Sequence, residues 1–311
     1  MRMFIRLAAS LAGTAALLIA VGALALHFWP GTQKVTIAAA AVSPVLFVAA
    51  VALAAVCLLT ARAWLRLVLV IAVAAAGAWV QSPLWRADGA PTGPALTVLS
   101  TNLQVGRADV AALARLVRDE RVDVLAVQEI TPEAARGVES STIAADLPYR
   151  IVRPEAMASG TALYSRYPLS STAEIPGFAM RSLTAVAAVP GRGDVQLFAL
   201  HPVPPTDAGW ADELRRVETL LHGVPEPKPV IALGDYNATY DHTPFRRLLA
   251  DGYRDAGDLA GAGWLPTYPT DKSYPAMVGI DHVLLRGLGA ADVTRHDLPG
   301  ADHKALLAKV G

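Results

Sequence analysis

Cysteine is nearly absent from this sequence, and acidic residues are absent from its first 87 positions. The one cysteine, Cys57, lies inside an apolar run, so the chain can form neither an internal disulfide nor a cysteine-ligated metal site. Residues 1–87 contain six basic residues, which leaves 21 basic residues beside all 27 acidic ones in 88–311. That part therefore carries a net charge of −6 without any cluster of lysine or arginine. This balance disfavours a protein that grips nucleic acid through its phosphates.

The part without acidic residues is also too apolar for an ordinary soluble domain. The chain is 53% hydrophobic, with a mean hydropathy of +0.38, and the excess lies in three apolar runs at 7–29, 35–60 and 65–85. Each run is near the ~20 residues that a helix needs to cross a bilayer. We predict three transmembrane helices within 1–87, with the aromatic residues and His27 at the run ends in the membrane interface. A signal peptide is the alternative for the first run, but two further runs follow it.

Basic residues are unevenly placed around these runs. Four precede the first run or separate the second from the third: Arg2, Arg6, Arg62 and Arg66. Only Lys34 separates the first run from the second. Because cytoplasmic loops carry an excess of lysine and arginine, the N-terminus is predicted to be cytoplasmic. Three crossings then place the chain after Arg86 outside the cytoplasmic membrane, although the charge of Arg86 opposes this orientation.

Residues 88–94 form a short polar segment rich in glycine and proline, and we predict a linker there. The remaining residues, 95–311, are enough for one large α/β domain with its own core. Strands are predicted at 95–101, 122–127, 160–165, 183–189, 195–200, 229–233, 279–285 and 305–310. Helices are predicted at 108–119 and 209–222, with further helix starts at Thr131-Pro132 and Thr243-Pro244.

Within 229–238 an apolar strand is ended by Gly234, and Asp235 and Asn237 follow it. On extended backbone, residues two apart face the same side, so a carboxylate and an amide would project together. That pair suits holding a water molecule or a phosphate. The alternative is an ordinary Gly-Asp turn with the asparagine in a left-handed conformation.

Polar residues collect at the ends of several predicted strands. Those just past the C-terminal end of a strand are Asn102, Glu129, His201, Asp235 and Asn237, whereas Asp281, Asp302 and His303 lie where late strands begin. Such a collection is the usual layout of an active site in layered α/β proteins. Oxygen ligands without thiols suit a hard cation, Mg²⁺ or Mn²⁺. Taken singly, Glu129 could be an acid at a helix start, and Asn102 and Asp302 could be turn residues.

These residues occur in the order expected of a known superfamily. The motifs are Asn102, Gln128-Glu129, residues 160–168, His201-Pro202, residues 234–238, Ile280-Asp281-His282 and Ala301-Asp302-His303. Across 95–311 the chain resembles the endonuclease/exonuclease/phosphatase superfamily, which includes DNase I, abasic-site endonucleases and neutral sphingomyelinases. Each motif is weak alone, but the ordered set is specific. In one departure, Ala301 stands where the superfamily often has serine.

The resemblance implies a four-layer α-β-β-α sandwich, preceded here by the three membrane helices, and metal-dependent cleavage of a phosphate ester or anhydride. Glu129 would be the main metal ligand, with Asn102 beside it and Asp302 as a further carboxylate. Asp235 would orient or deprotonate the attacking water, and His201 and Asn237 would hold phosphate oxygens. His303 would stabilise charge in the transition state, with its ring fixed by Asp281.

Three N-terminal spans before an outer catalytic domain are similar to the VanJ-like membrane proteins linked to teicoplanin-type antibiotic resistance. That similarity implies a cell-envelope phosphatase whose substrate is a lipid-linked pyrophosphate such as undecaprenyl pyrophosphate. An extracytoplasmic endonuclease or a phospholipid phosphodiesterase is the alternative enzyme. A non-catalytic surface binding module is the alternative of another class, although the full set of site residues argues against it.

Overall fold

The computed structural model describes all 311 residues and divides the chain into two compact units. The first, here called the helical unit, comprises 1–83 together with Tyr240–Thr243. The second, here called the catalytic unit, comprises 84–239 and 244–311.

Three long helices make up most of the helical unit: α1 (Arg2–His27), α2 (Lys34–Ala61) and α3 (Trp64–Gln81). All three are long and apolar enough to cross a membrane, as the sequence predicts. Small residues let α1 and α2 approach closely, since a side chain at Gly13 would begin only 2.6 Å from the Cγ atom of Leu58. Large apolar side chains such as Leu18 and Leu53 point outward and are exposed. A helix that is apolar on its outer face suits a lipid environment.

Two six-stranded sheets form the centre of the catalytic unit. In spatial order the first sheet contains β11 (Ala290–His296), β12 (Ala305–Val310), β1 (Leu96–Asn102), β2 (Val124–Gln128), β4 (Thr161–Ser165) and β3 (Tyr149–Arg153). The second contains β5 (Leu169–Ile175), β6 (Ser182–Val189), β7 (Gly193–Leu200), β8 (Val230–Asp235), β10 (Asp281–Arg286) and β9 (Arg254–Asp255). The helices are α4 (Val110–Asp119), α5 (Pro132–Glu139), α6 (Ile143–Asp146), α7 (Trp210–His222), α8 (Thr243–Arg247) and α9 (Ala256–Ala260).

The side chains of each strand point alternately to the two faces of its sheet, and this alternation produces the layers. Val98 of β1 packs with Leu233 of β8 in the core between the sheets. The neighbouring Leu99 points the other way and packs with Leu113 of α4, because successive side chains of a strand face opposite sides. The two sheets with their helices therefore form the layered α/β sandwich that the sequence predicts, preceded by three apolar helices.

Four strands were not predicted from the sequence: β3, β5, β9 and β11. Each lies at an outer edge of its sheet. Edge strands bury few side chains and need little apolar patterning, as β5 shows with five consecutive exposed residues. Each pairs with the strand that follows it in the chain, so it is the weak apolar patterning, and not a remote partner, that leaves little signal in the local sequence.

Backbone hydrogen bonds fix the segment that follows Leu84 onto the catalytic unit. The Ala290 amide donates to the Gly89 carbonyl at 2.8 Å, and the Thr92 amide donates to the Gly311 carbonyl at 3.2 Å. Residues 88–94, predicted as a linker, are thus hydrogen-bonded along the end of the sheet that contains β11 and β12.

Candidate active site

The sheet topology brings the polar strand ends together. Strands β1 and β2 are parallel neighbours, so Asn102 and Gln128, the residue before Glu129, end at the same edge of the first sheet. In the second sheet β8 and β10 are antiparallel, and their register sets Asp281 directly opposite Asp235. Two carboxylates in such a pair repel each other unless cations or protons compensate for their charge.

Asp235 lies at the centre of the site and is only 2% exposed. Its Oδ1 atom accepts a hydrogen bond from the Asn237 amide at 2.8 Å. Its Oδ2 atom accepts one from Asn102 Nδ2 at 3.2 Å and lies 3.7 Å from Nε2 of both His201 and His303. Burial raises the pKa of Asp235, although the charge of His303 opposes that shift. A carboxylate of raised pKa accepts a proton more readily, which suits a general base.

His303 is held by a carboxylate on one side and faces a second. Its Nδ1 atom donates to Asp281 Oδ2 at 2.9 Å. Burial lowers the pKa of His303, but the charges of Asp281 and Asp235 outweigh burial and raise it to about 10. The ring is therefore an imidazolium at neutral pH, able to donate a hydrogen bond to an anionic group near Asp235.

His201 and Asn237 complete this side of the site. His201 is buried and its Nδ1 atom has no hydrogen-bond partner. Burial lowers the pKa of His201, so it is neutral. Asn237 has a left-handed backbone, with φ of 50°, and its Nδ2 atom donates to the Pro202 carbonyl at 3.0 Å. Asn237 lies past the end of β8, so the alternation of side chains along a strand does not apply to it, and the left-handed turn considered as the alternative is present.

Glu129, Asn102 and Asp302 form the acidic side of the site. Glu129 has an unusual left-handed backbone, with φ of 56°. Its Oε1 atom accepts from Asn102 Nδ2 at 3.0 Å, and its Oε2 atom accepts from the Val105 amide at 2.7 Å. Burial raises the pKa of Asp302, and the nearby charge of Glu129 contributes. Two interacting carboxylates beside an amide, with no lysine or arginine paired to them, fit a hard divalent cation.

A second group also has the spacing of a metal site. One ligand atom from each of Asp235, Asp281 and His303 lies within 4.8 Å of the others. In this group, however, the charges of Asp281 and Asp235 raise the pKa of His303, and a protonated ring nitrogen cannot ligate a metal. Protonation of His303 therefore favours Glu129, Asn102 and Asp302 as the candidate metal site.

Comparison with known proteins agrees with this geometry. The model of the Endonuclease/Exonuclease/phosphatase family matches residues 99–303, which is most of the catalytic unit. The chain belongs to this family. No curated protein matches the chain in sequence. Residues 99–303 begin in β1 and end at His303, so the match spans all eight predicted site residues.

Solved structures share the fold. TDP2 from D. rerio, complexed with a single-strand DNA product, covers 70% of this chain and 99% of its own, with 18% identity and a TM-score of 0.59. An endonuclease/exonuclease/phosphatase from Beutenbergia cavernae covers 70% of this chain and 71% of its own, with 20% identity and a TM-score of 0.56. A family protein from Bacteroides thetaiotaomicron covers 70% and 98%, with 14% identity and a TM-score of 0.55. The fold is therefore the DNase I-like sandwich.

Two loop residues that were not predicted lie beside the candidate site. The Tyr268 ring lies 4.8 Å from the His303 ring, measured between centroids. Thr267 Oγ1 accepts hydrogen bonds from the Ile280 amide at 3.2 Å and the Asp281 amide at 3.4 Å. The structure thus places Tyr268 against the imidazolium and uses Thr267 to hold the start of β10. No motif in the sequence marks either residue.

His282 and Asp255 support the loop behind the site. His282 Nδ1 lies 2.7 Å from Asp255 Oδ2, and Nε2 lies 2.9 Å from the Ala238 carbonyl oxygen. Both partners are acceptors, so the ring carries both protons. Burial opposes this charge, but the hydrogen bond to Asp255 outweighs it and raises the pKa of His282. The imidazolium thereby fixes Ala238, the residue after Asn237.

Asp258, in α9 beside Asp255, makes stability depend on pH. Burial, followed by the charge of Asp255, raises the pKa of Asp258 to about 7. The folded chain therefore holds this proton where the unfolded chain has lost it, so stability falls as pH rises from about 4 to about 7. Asp258→Asn has no carboxyl group to ionise, so it removes the loss of stability that ionisation of Asp258 causes at higher pH. We expect it to stabilise the full-length protein by up to about 4 kcal/mol at pH 8 and by far less near pH 4.

Thermal unfolding in detergent at both pH values checks this expectation. Asp292→Asn, at an exposed position of β11, serves as the control and should shift Tm at neither pH. Equal stabilisation by Asp258→Asn at both pH values would show that ionisation of this carboxyl is not the cause.

Proposed function

We propose that this protein is a metal-dependent phosphoesterase, anchored in the cytoplasmic membrane by α1, α2 and α3, whose catalytic unit lies outside. The observation that carries the catalytic proposal is the environment of Asp235, a buried carboxylate between two histidines and next to Asn102. On one side of Asp235 lies the positively charged ring of His303. On the other side lie Asn102, Glu129 and Asp302, whose side chains suit a divalent metal ion.

The roles follow from the contacts. Asp235 accepts the proton of the attacking water, which its raised pKa favours. The imidazolium of His303 donates to a phosphate oxygen as negative charge develops there, and Asp281 holds the ring in place. His201 has an unpaired ring nitrogen, and Asn237 has a second amide hydrogen, so both are able to hold phosphate oxygens.

Glu129, Asn102 and Asp302 would hold Mg²⁺ or Mn²⁺. The bound ion would neutralise charge on the phosphate oxygens. Asn102 also donates a hydrogen bond to Asp235, which fixes the proposed base relative to the proposed metal ligands. The left-handed backbone at Glu129 supports a functional role, since such strain persists where the surrounding structure enforces it.

The substrate proposed is a lipid-linked phosphate or pyrophosphate of the cell envelope, as in the VanJ-like branch. Three helices able to span a membrane would keep the catalytic unit near the lipid surface, which raises its effective concentration for lipid-borne substrates. The net charge of −6 in residues 88–311 disfavours a polyanion held along its backbone. The orientation rests on Arg2, Arg6, Arg62 and Arg66, and the boundaries proposed are 1–87, 88–94 and 95–311.

Phosphate release by the full-length protein in detergent with Mg²⁺ tests the proposal. Undecaprenyl pyrophosphate, plasmid DNA and sphingomyelin are offered in parallel, with Asp235→Asn as the inactive control. Turnover of the lipid pyrophosphate that the variant loses is the expected result. Nicking of DNA would establish a nuclease, and cleavage of sphingomyelin would establish a phospholipid phosphodiesterase. Absence of all three activities would favour the binding module.

A further inference from the structure

The helical unit includes four residues from the loop between β8 and α8. In this segment, Tyr240–Thr243, Asp241 is only 4% exposed. Its Oδ1 atom accepts two hydrogen bonds, from His27 Nδ1 at 2.8 Å and from Gln81 Nε2 at 2.9 Å. His27 is the last residue of α1, and Gln81 is the last residue of α3. A single carboxylate oxygen therefore joins the ends of two helices.

The residues after Asp241 contact the same end of the unit. His242 Nε2 donates to the Ile37 carbonyl, in the first turn of α2, at 2.9 Å. Thr243 Oγ1 donates to the Trp29 carbonyl, just after α1, at 3.1 Å. All three helices thus contribute a hydrogen bond to this four-residue segment.

Loss of these contacts would lower the free energy of unfolding. A buried carboxylate without its donors costs several kcal/mol, and a buried neutral donor without its acceptor costs about 1–3 kcal/mol. A plain anchor needs no such buried polar contacts, so the arrangement indicates a function beyond tethering.

The segment is joined to the catalytic loop by a short covalent path. Only Ala238 and Thr239 separate Asn237 from Tyr240. The loop is held at its start by the bond from the Asn237 amide to Asp235 and in its middle by the bond from His282 to the Ala238 carbonyl. The bonds of Asp241 would hold its far end.

We propose that Asp241 is a positioning residue through which the three apolar helices hold the catalytic loop, residues 236–239, in its active conformation. The membrane region is then part of the catalytic apparatus, and hydrolysis requires its contact with Tyr240–Thr243. This inference rests on the proposed function for its effect on rate, but the ordering of the loop is measurable without any substrate.

The experiment uses the full-length protein in detergent and two readouts. Hydrogen–deuterium exchange is measured on peptides that cover residues 236–243. The values of kcat and KM are measured for hydrolysis of the substrate that the phosphate-release assay identifies. The variants are Asp241→Ala, His27→Leu and their combination. Asp241→Asn keeps an acceptor oxygen, and Thr60→Ala removes a hydroxyl at the other end of α2.

Asp241→Ala is expected to speed exchange at 236–239 and to lower kcat about tenfold or more, with KM changed less than about twofold. The combined variant should be no slower than Asp241→Ala, because both changes break the same contact. Asp241→Asn should recover most of the rate, and Thr60→Ala should match the wild type. Elution as a single species with an unchanged far-ultraviolet spectrum confirms that each variant folds.

Three results would overturn the inference. Faster exchange at 240–243 alone, with 236–239 still protected, would mean that the contact does not reach the catalytic loop. An unchanged kcat for Asp241→Ala would reduce the contact to an anchor. Multiplied losses in the combined variant would mean that Asp241 and His27 act separately. If the wild type hydrolyses nothing, the proposed function fails, and exchange at 236–239 alone decides whether the helices order the loop.

Discussion

Asp235→Asn is expected to lower kcat by about 10²–10⁴-fold. Asparagine has nearly the same shape and can still accept the hydrogen bond that the Asn237 amide gives to Oδ1. It cannot accept a proton from water, so the step assigned to Asp235 is lost. Steady-state hydrolysis by the full-length protein at saturating metal measures the effect, with Asp292→Asn as a matched surface control.

Folding should not account for this loss. Burial raises the pKa of Asp235 and so disfavours its charged form, and a neutral amide in the same position removes that cost. We therefore expect Asp235→Asn to have a Tm equal to or above that of the wild type. A loss of less than about tenfold in kcat would mean that another group takes the proton.

Glu129→Gln is expected to weaken binding of Mn²⁺ by about 100-fold or more and to lower activity at limiting metal in proportion. The substitution keeps an oxygen that can accept from Val105, but it removes one of the two negative charges that Glu129 and Asp302 present to the cation. High metal concentration should restore part of the activity, because the proton-accepting group is untouched. Isothermal titration with Mn²⁺ alone measures binding without any substrate.

Glu133→Gln, at an exposed position of α5, removes the same charge nearby and should leave the affinity unchanged. Unchanged binding in Glu129→Gln, together with loss of binding in Asp281→Asn, would contradict our assignment. The cation would then belong to the group of Asp235, Asp281 and His303, whose atoms also have the necessary spacing.

The sequence alone determined most of the central strands and the placement of the site residues at their ends. Central strands are buried on both faces, so they appear as short apolar runs, and the polar residue that ends each run is visible, as at Asn102 and Asp235. Helix starts were equally local, since Thr131 Oγ1 accepts from the Ala134 amide at 3.2 Å and Pro132 follows it. The absence of acidic residues from the first 87 positions and the three apolar runs were also visible in the sequence.

Only the tertiary structure decided how these pieces act together. The pairing of Asp281 with Asp235 depends on strand register, and the edge strands, which have little apolar patterning of their own, form by pairing with a neighbour in the sheet. Tyr268 approaches His303 across 35 positions of sequence, and Asp241 meets His27 across 214. The sequence predicted an interfacial position for His27, and the structure shows it bonded to a buried carboxylate. Local patterns record burial and backbone preference, whereas hydrogen bonds between distant side chains exist only once packing has brought them within about 3 Å.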